Sequence, residues 1–212
     1  MKIIQYILLV CSLCLFGETG AQNRSIEFRE GNWEQMLKMA KKEKKMIFVD
    51  CYTSWCGPCK MLAKNIFTQD SVADFYNANF ICFQIDMEKG EGPELARKYG
   101  VAAFPTLLYV DKDGMLKHCV VGYLQTHELI LNGEKALKGE QTLLDFQRRY
   151  DAGERDRAFV KQYIDVLFKA YRPQLQKEVV TEYIMGFPMP SFILEKHGIL
   201  LFEIFQTLFL RY

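Results

Sequence analysis

The sequence predicts an α/β domain, a mixed central sheet with helices on both faces, followed by a small α-helical extension. Three observations predict it. Met46 to Val49 and Phe80 to Ile85 are short continuous apolar runs, as expected of strands covered on both faces. Apolar stripes at helical spacing alternate with these runs as far as Leu137. From about Glu140 only helical periodicity is left. The resulting order is strand, helix, strand, helix, strand, helix, strand, strand, helix, and then helices alone.

Ahead of the domain, residues 1–21 carry one early lysine, an apolar run from Ile3 to Phe16, and the small residues Thr19, Gly20 and Ala21. This pattern predicts a signal peptide cleaved after Ala21. An uncleaved membrane anchor is the alternative, although the run is shorter than the ~20 residues of a spanning helix. The predicted divisions are therefore a leader over 1–21, the α/β domain over 22–139 and the helical extension over 140–212.

Within the domain, Ile26-Glu27-Phe28 alternates like a short strand. Asn32 stands where a helix N-cap belongs, with Gln35 as capping-box partner and Trp33, Met36, Leu37 and Ala40 along one apolar stripe. After the strand at Met46, Pro58 suits the first turn of a helix carrying Met61, Leu62, Ile66 and Phe67, and a second helical piece starts near Ser71. The strand at Phe80 follows, then a helix over Pro93 to Tyr99 with Gly100 just past its end. Thr106 to Val110 turns through Asp111-Lys112-Asp113-Gly114 into Leu116 to Val121, a hairpin signal. In the extension, Leu143, Leu144, Phe146 and Tyr150 make one helical face, and Phe159, Tyr163, Ile164 and Leu167 a second. Leu175, Val179, Val180, Tyr183 and Ile184 follow Pro173, and a last segment, Ile199 to Leu210, is apolar around most of its circumference.

Lysine and arginine number 27 against 26 acids, so no global field draws in nucleic acid, and no nucleic-acid partner is expected. Removing the leader leaves Cys51, Cys56, Cys59, Cys82 and Cys119. In an oxidising compartment an odd count predicts at least one thiol outside any disulfide.

The chemistry concentrates in Trp55-Cys56-Gly57-Pro58-Cys59-Lys60. A structural zinc site wants four ligands, commonly two close pairs, and this chain has one C-x-x-C, so no metal is expected. Two readings stay open from the residues: a redox couple, or a buried pair that only packs. Position favours the first. A strand ending near Tyr52 and a helix beginning near Pro58 set Cys56 at a helix N-terminus, where unpaired N–H groups and the positive dipole end favour a thiolate. Cys56 is then the nucleophile. Cys59, one turn deeper and more shielded, resolves the mixed disulfide.

Val49-Asp50, the Trp55 to Lys60 motif, Phe104-Pro105-Thr106 and Gly122 together resemble the thioredoxin family over roughly Ile26 to Leu137. Phe67 to Val72 is similar to the periplasmic thioredoxin-like domains of envelope thiol-reducing systems. The resemblance implies a thioredoxin fold and a thiol-disulfide oxidoreductase with no cofactor. It makes Asp50 a buried acid that takes a proton from Cys59, and Pro105 a cis-proline. It also makes Phe104 a backbone partner for an extended substrate and Trp55 a cover over the site. The implied partners are disulfide-containing or thiol proteins of the cell envelope, with a membrane thiol-reductant donor, and the implied location is periplasmic or otherwise exported. The chain departs from the family in two places. Cys82 stands where many members carry a lysine beside the buried acid, and Lys64 replaces a helix-kinking proline. Strand alternation and this alignment place Cys82 on the Asp50 side and Cys51 on the opposite face, so the two are not expected to pair. The competing function is a binding module whose helical tail recruits a partner without redox turnover.

Overall fold

Asn32 caps the first helix as its side chain allows: its Oδ1 accepts from the Gln35 backbone N–H at 2.9 Å, and the Gln35 side chain accepts from the Asn32 N–H at 2.8 Å. The computed structural model describes residues 24–186. In chain order its elements are α1 (Trp33–Glu43), β1 (Met46–Tyr52), α2 (Gly57–Asn65), α3 (Asp70–Asn79), β2 (Phe80–Asp86), α4 (Gly92–Tyr99), β3 (Thr106–Val110), β4 (Leu116–Val121), α5 (Thr126–Lys138), α6 (Leu143–Asp151), α7 (Arg157–Lys169) and α8 (Pro173–Met185). The expected leader and the apolar segment from Ile199 lie outside the described residues.

The strands form one mixed sheet in the order β2-β1-β3-β4. β1 and β2 run parallel, joined by a crossover through α2 and α3, while β3 lies antiparallel to both β1 and β4. The apolar character of the strands follows from this, because helices cover both faces. On one face Phe48, Cys82, Leu107, Tyr109 and Val120 pack with Leu62 of α2 and its C-cap Ile66, Val72 and Tyr76 of α3, and Leu129 and Ala136 of α5. Phe48 sits at the centre of that core. Its ring lies 4.5 Å from that of Tyr76 and 5.5 Å from that of Tyr109. On the other face Trp33 of α1 tilts against Phe83 at 6.3 Å and meets Tyr99 of α4 edge-on at 5.6 Å.

One expected strand is not there. Ile26 to Phe28 is extended but joins no ladder, because its backbone is used one bond at a time: Ile26 N–H donates to the Phe67 carbonyl, and Arg29 N–H to the Cys82 carbonyl. Alternation reported the buried Ile26 correctly and says nothing about whether a neighbouring edge is open.

The chain divides into two compact units between Glu140 and Gln141. The second unit has its own core. Phe146, Phe159 and Tyr163 stack within 5.5–6.4 Å of one another, and the Arg149 guanidinium lies over the Phe159 ring at 4.5 Å. In α8 the buried residues are Gln176 and Val179, so Leu175 is only half-buried.

Candidate active site

β1 delivers the chain into the motif, and Cys56 caps α2. The Cys59 backbone N–H donates to Cys56 Sγ at 3.1 Å, so the sulfur takes the place that a serine or aspartate oxygen holds in an ordinary cap. Pro58 lies in the first turn, and no acid stands there to oppose charge on the sulfur. Cys56 and Cys59 are joined in a disulfide with a Cα separation of 5.3 Å. Their exposures are 3% and 4%, so the expected greater shielding of Cys59 is not found: in the oxidised pair one helical turn buries both residues equally.

Around the disulfide, the Phe104–Pro105 bond is cis, and the Pro105 carbonyl accepts from Gly122 N–H at 2.8 Å. The Thr106 hydroxyl donates to the Ala103 carbonyl at 2.7 Å, which ties both ends of this loop to the sheet. Trp55 is 65% exposed and meets the half-buried Phe104 edge-on at 6.0 Å. Its indole N–H donates to Glu88 Oε2 at 3.0 Å, so the ring is held by a ring contact and a hydrogen bond. Lys60 is exposed.

Asp50, 1% exposed, shares a face of the sheet with Phe48 and Leu107, the face that α2 covers. Burial raises its carboxyl from an ordinary 3.8 to about 7, against a lowering hydrogen bond from Gln84. Gln84 Nε2 donates to Oδ2 at 2.8 Å, while Oδ1 has no hydrogen-bond partner among the described residues. The Thr53 hydroxyl, between Asp50 and the motif, is likewise buried without one.

The residue that neighbours Asp50 on β2 is set by the strand register. Cys82 is on the Asp50 side as expected, but the register pairs it with Phe48, and its thiol is directed to the Tyr76 carbonyl at 3.8 Å. The residue opposite Asp50 is Gln84, which sequence reasoning passed over. No local motif marks Gln84, since its place opposite Asp50 is set by the parallel register of β1 and β2. Glu88 carried no signal either, since it lies in the loop after β2. Cys51 is on the opposite face, and Cys51, Cys82 and Cys119 are buried thiols outside any disulfide. Among the described residues no group of three or more His, Cys, Asp or Glu side chains is placed to hold a metal ion.

Residues 33–137 match the family model of a thioredoxin-like domain. A solution structure of a proposed disulphide-isomerase from Bacteroides thetaiotaomicron is 45% identical, over 57% of this chain and 99% of that one, with a TM-score of 0.52. The thioredoxin of Chlorobaculum thiosulfatiphilum is 36% identical over 80 residues, which is 38% of this chain and 68% of the relative. The chain belongs to the thioredoxin family. Within that family the Cys56–Cys59 disulfide occupies the active-site position, on a thioredoxin fold carrying helices C-terminal to it. The M-type chloroplast thioredoxin of Pisum sativum is similar at 29% identity over 116 residues, 55% of this chain, which spans only 62% of that relative's length.

Proposed function

We propose that the protein is an exported thiol-disulfide oxidoreductase that reduces or exchanges disulfides in proteins of the cell envelope. The observation that carries this reading is the Cys56–Cys59 disulfide at the N-terminus of α2, with the sulfur of Cys56 receiving a backbone N–H. In the reduced protein that N–H and the helix dipole stabilise a Cys56 thiolate. The thiolate attacks one sulfur of a substrate disulfide, and the other substrate sulfur leaves as a thiolate. Cys59 then gives its proton to Asp50, and its sulfur attacks Cys56 Sγ. The Cys56–Cys59 bond forms as the bond to substrate breaks, and the second substrate sulfur leaves and takes up a proton. Two protein thiols become a disulfide as one substrate disulfide becomes two thiols.

Trp55, Phe104 and Pro105 form the proposed substrate platform. An extended segment pairs with the backbone at Phe104 and rests on the exposed indole, so recognition tolerates varied side chains. The leader over residues 1–21 supports an envelope location, and turnover there requires re-reduction by a membrane thiol donor. The domain over 22–139 carries the chemistry and the extension over 140–212 is an appended unit. In an insulin-reduction assay Cys56→Ser abolishes turnover; undiminished activity in that variant would remove Cys56 as the nucleophile.

A further inference from the structure

Resting on the reading of Cys56–Cys59 as a cycling pair, we propose that Gln84 is a positioning residue for its proton transfer. It holds Asp50 by Oδ2 and leaves Oδ1 as the oxygen that takes up and returns the proton. The geometry carries the assignment. Gln84 stands opposite Asp50 in the parallel β1–β2 register and donates to Oδ2 at 2.8 Å. Oδ1 is fully buried and meets no donor among the described residues, so it is the atom where a proton can be added without breaking an existing bond. A primary amide suits this duty. Oδ2 accepts from it whether the acid is ionised or protonated, so the carboxyl keeps one orientation through the cycle. The amide is also neutral and does not lock the carboxylate in its charged form as a lysine at hydrogen-bond distance would.

Burial raises the proton affinity of Asp50, and among the described residues the Gln84 bond is the polar contact that lowers it. Cys82, on the same face of β2, has its thiol pushed up to about 12 by burial. Tyr109 of β3 and Tyr76 of α3 bond to each other and are raised by burial. In α2 and its cap, Cys56 and Cys59 are joined as the disulfide and carry no titratable proton, while Lys60 and Lys64 are exposed, as are Asp74 of α3 and His127 of α5. Leu107 of β3, opposite Asp50, is apolar, and Cys51, next in β1, faces the other side of the sheet.

The test is a carboxyl-carbon NMR titration of Asp50 in the oxidised full-length protein, with Gln84→Met and Gln84→Lys. Losing a hydrogen bond to the charged form moves the midpoint of Gln84→Met upward by about one pH unit. Gln84→Lys moves it downward. In a single-turnover reaction with insulin, Gln84→Met is then about tenfold slower than the native protein at pH 6 and converges with it near pH 9. A merely structural role for Gln84 lowers thermal stability and moves neither the midpoint nor the pH profile. Midpoints that stay put, or move the same way in both variants, overturn the inference while native turnover keeps the oxidoreductase reading. A native protein that does not turn over removes that reading and this inference with it.

Discussion

At the residue scale the electrostatic feature that bears on the site is Asp50, a carboxyl raised from 3.8 to about 7 by burial. The folded state therefore holds this proton more tightly than the unfolded chain does. Its contribution to stability is full below pH 4 and is lost as pH rises through about 7, a change of about 4 kcal/mol. His118 works in the opposite sense. Burial lowers it from 6.5 to about 4, so its contribution is present above pH 6.5 and lost as pH falls through 4. Between pH 4 and 6.5 the two offset each other. Asp50→Asn removes the first contribution, so urea midpoints of the oxidised variant should rise from pH 4 to 6.5 and exceed the native value at pH 8. A variant no more stable than the native protein at pH 8 would contradict the burial argument. The cysteines, Trp55, Phe104 and Pro105 were legible in the sequence because short motifs fix them locally. Gln84 was not, because its place beside Asp50 depends on the register between two strands separated by two helices.

At the element scale the sheet is tied to its helices by a buried hydroxyl pair. Tyr76 of α3 donates to the Leu129 carbonyl of α5 at 2.7 Å, and its oxygen lies 2.7 Å from the Tyr109 hydroxyl of β3, so Tyr109 supplies the proton of that second bond. Gly133 permits this approach: a Cβ there would lie 2.5 Å from Phe75 and 3.1 Å from the Tyr76 hydroxyl. Tyr76→Phe leaves the Tyr109 hydroxyl buried without its acceptor and should cost about 1–3 kcal/mol, read as a lower urea midpoint with an unchanged slope. An unchanged midpoint would mean that the pair adds nothing to folding. Most elements were legible because their ends carry local chemistry, such as the Asn32–Gln35 capping box and Gly100 in the left-handed region after α4. Ile26 to Phe28 was misjudged as a strand because pairing depends on an available edge, which side-chain alternation does not encode.

At the scale of the whole molecule, each unit satisfies its own core. The first is built on the sheet and its covering helices, and the second on Phe146, Phe159 and Tyr163. A protein ending at Glu140 should therefore fold and reduce insulin at close to the full-length rate. A large loss of turnover would give the helical unit a part in the reaction and favour the partner-recruiting alternative. The central claim, that Cys56 and Cys59 form a cycling couple, is tested most directly by equilibrating the protein against thiol buffers of known potential and reading the two states by mass. Reversible conversion is expected, with a midpoint near or below about −250 mV, in the range of reductants. A pair that never converts would contradict the cycling couple, and one poised near −120 mV, as in a strong oxidant, would contradict the direction proposed for it.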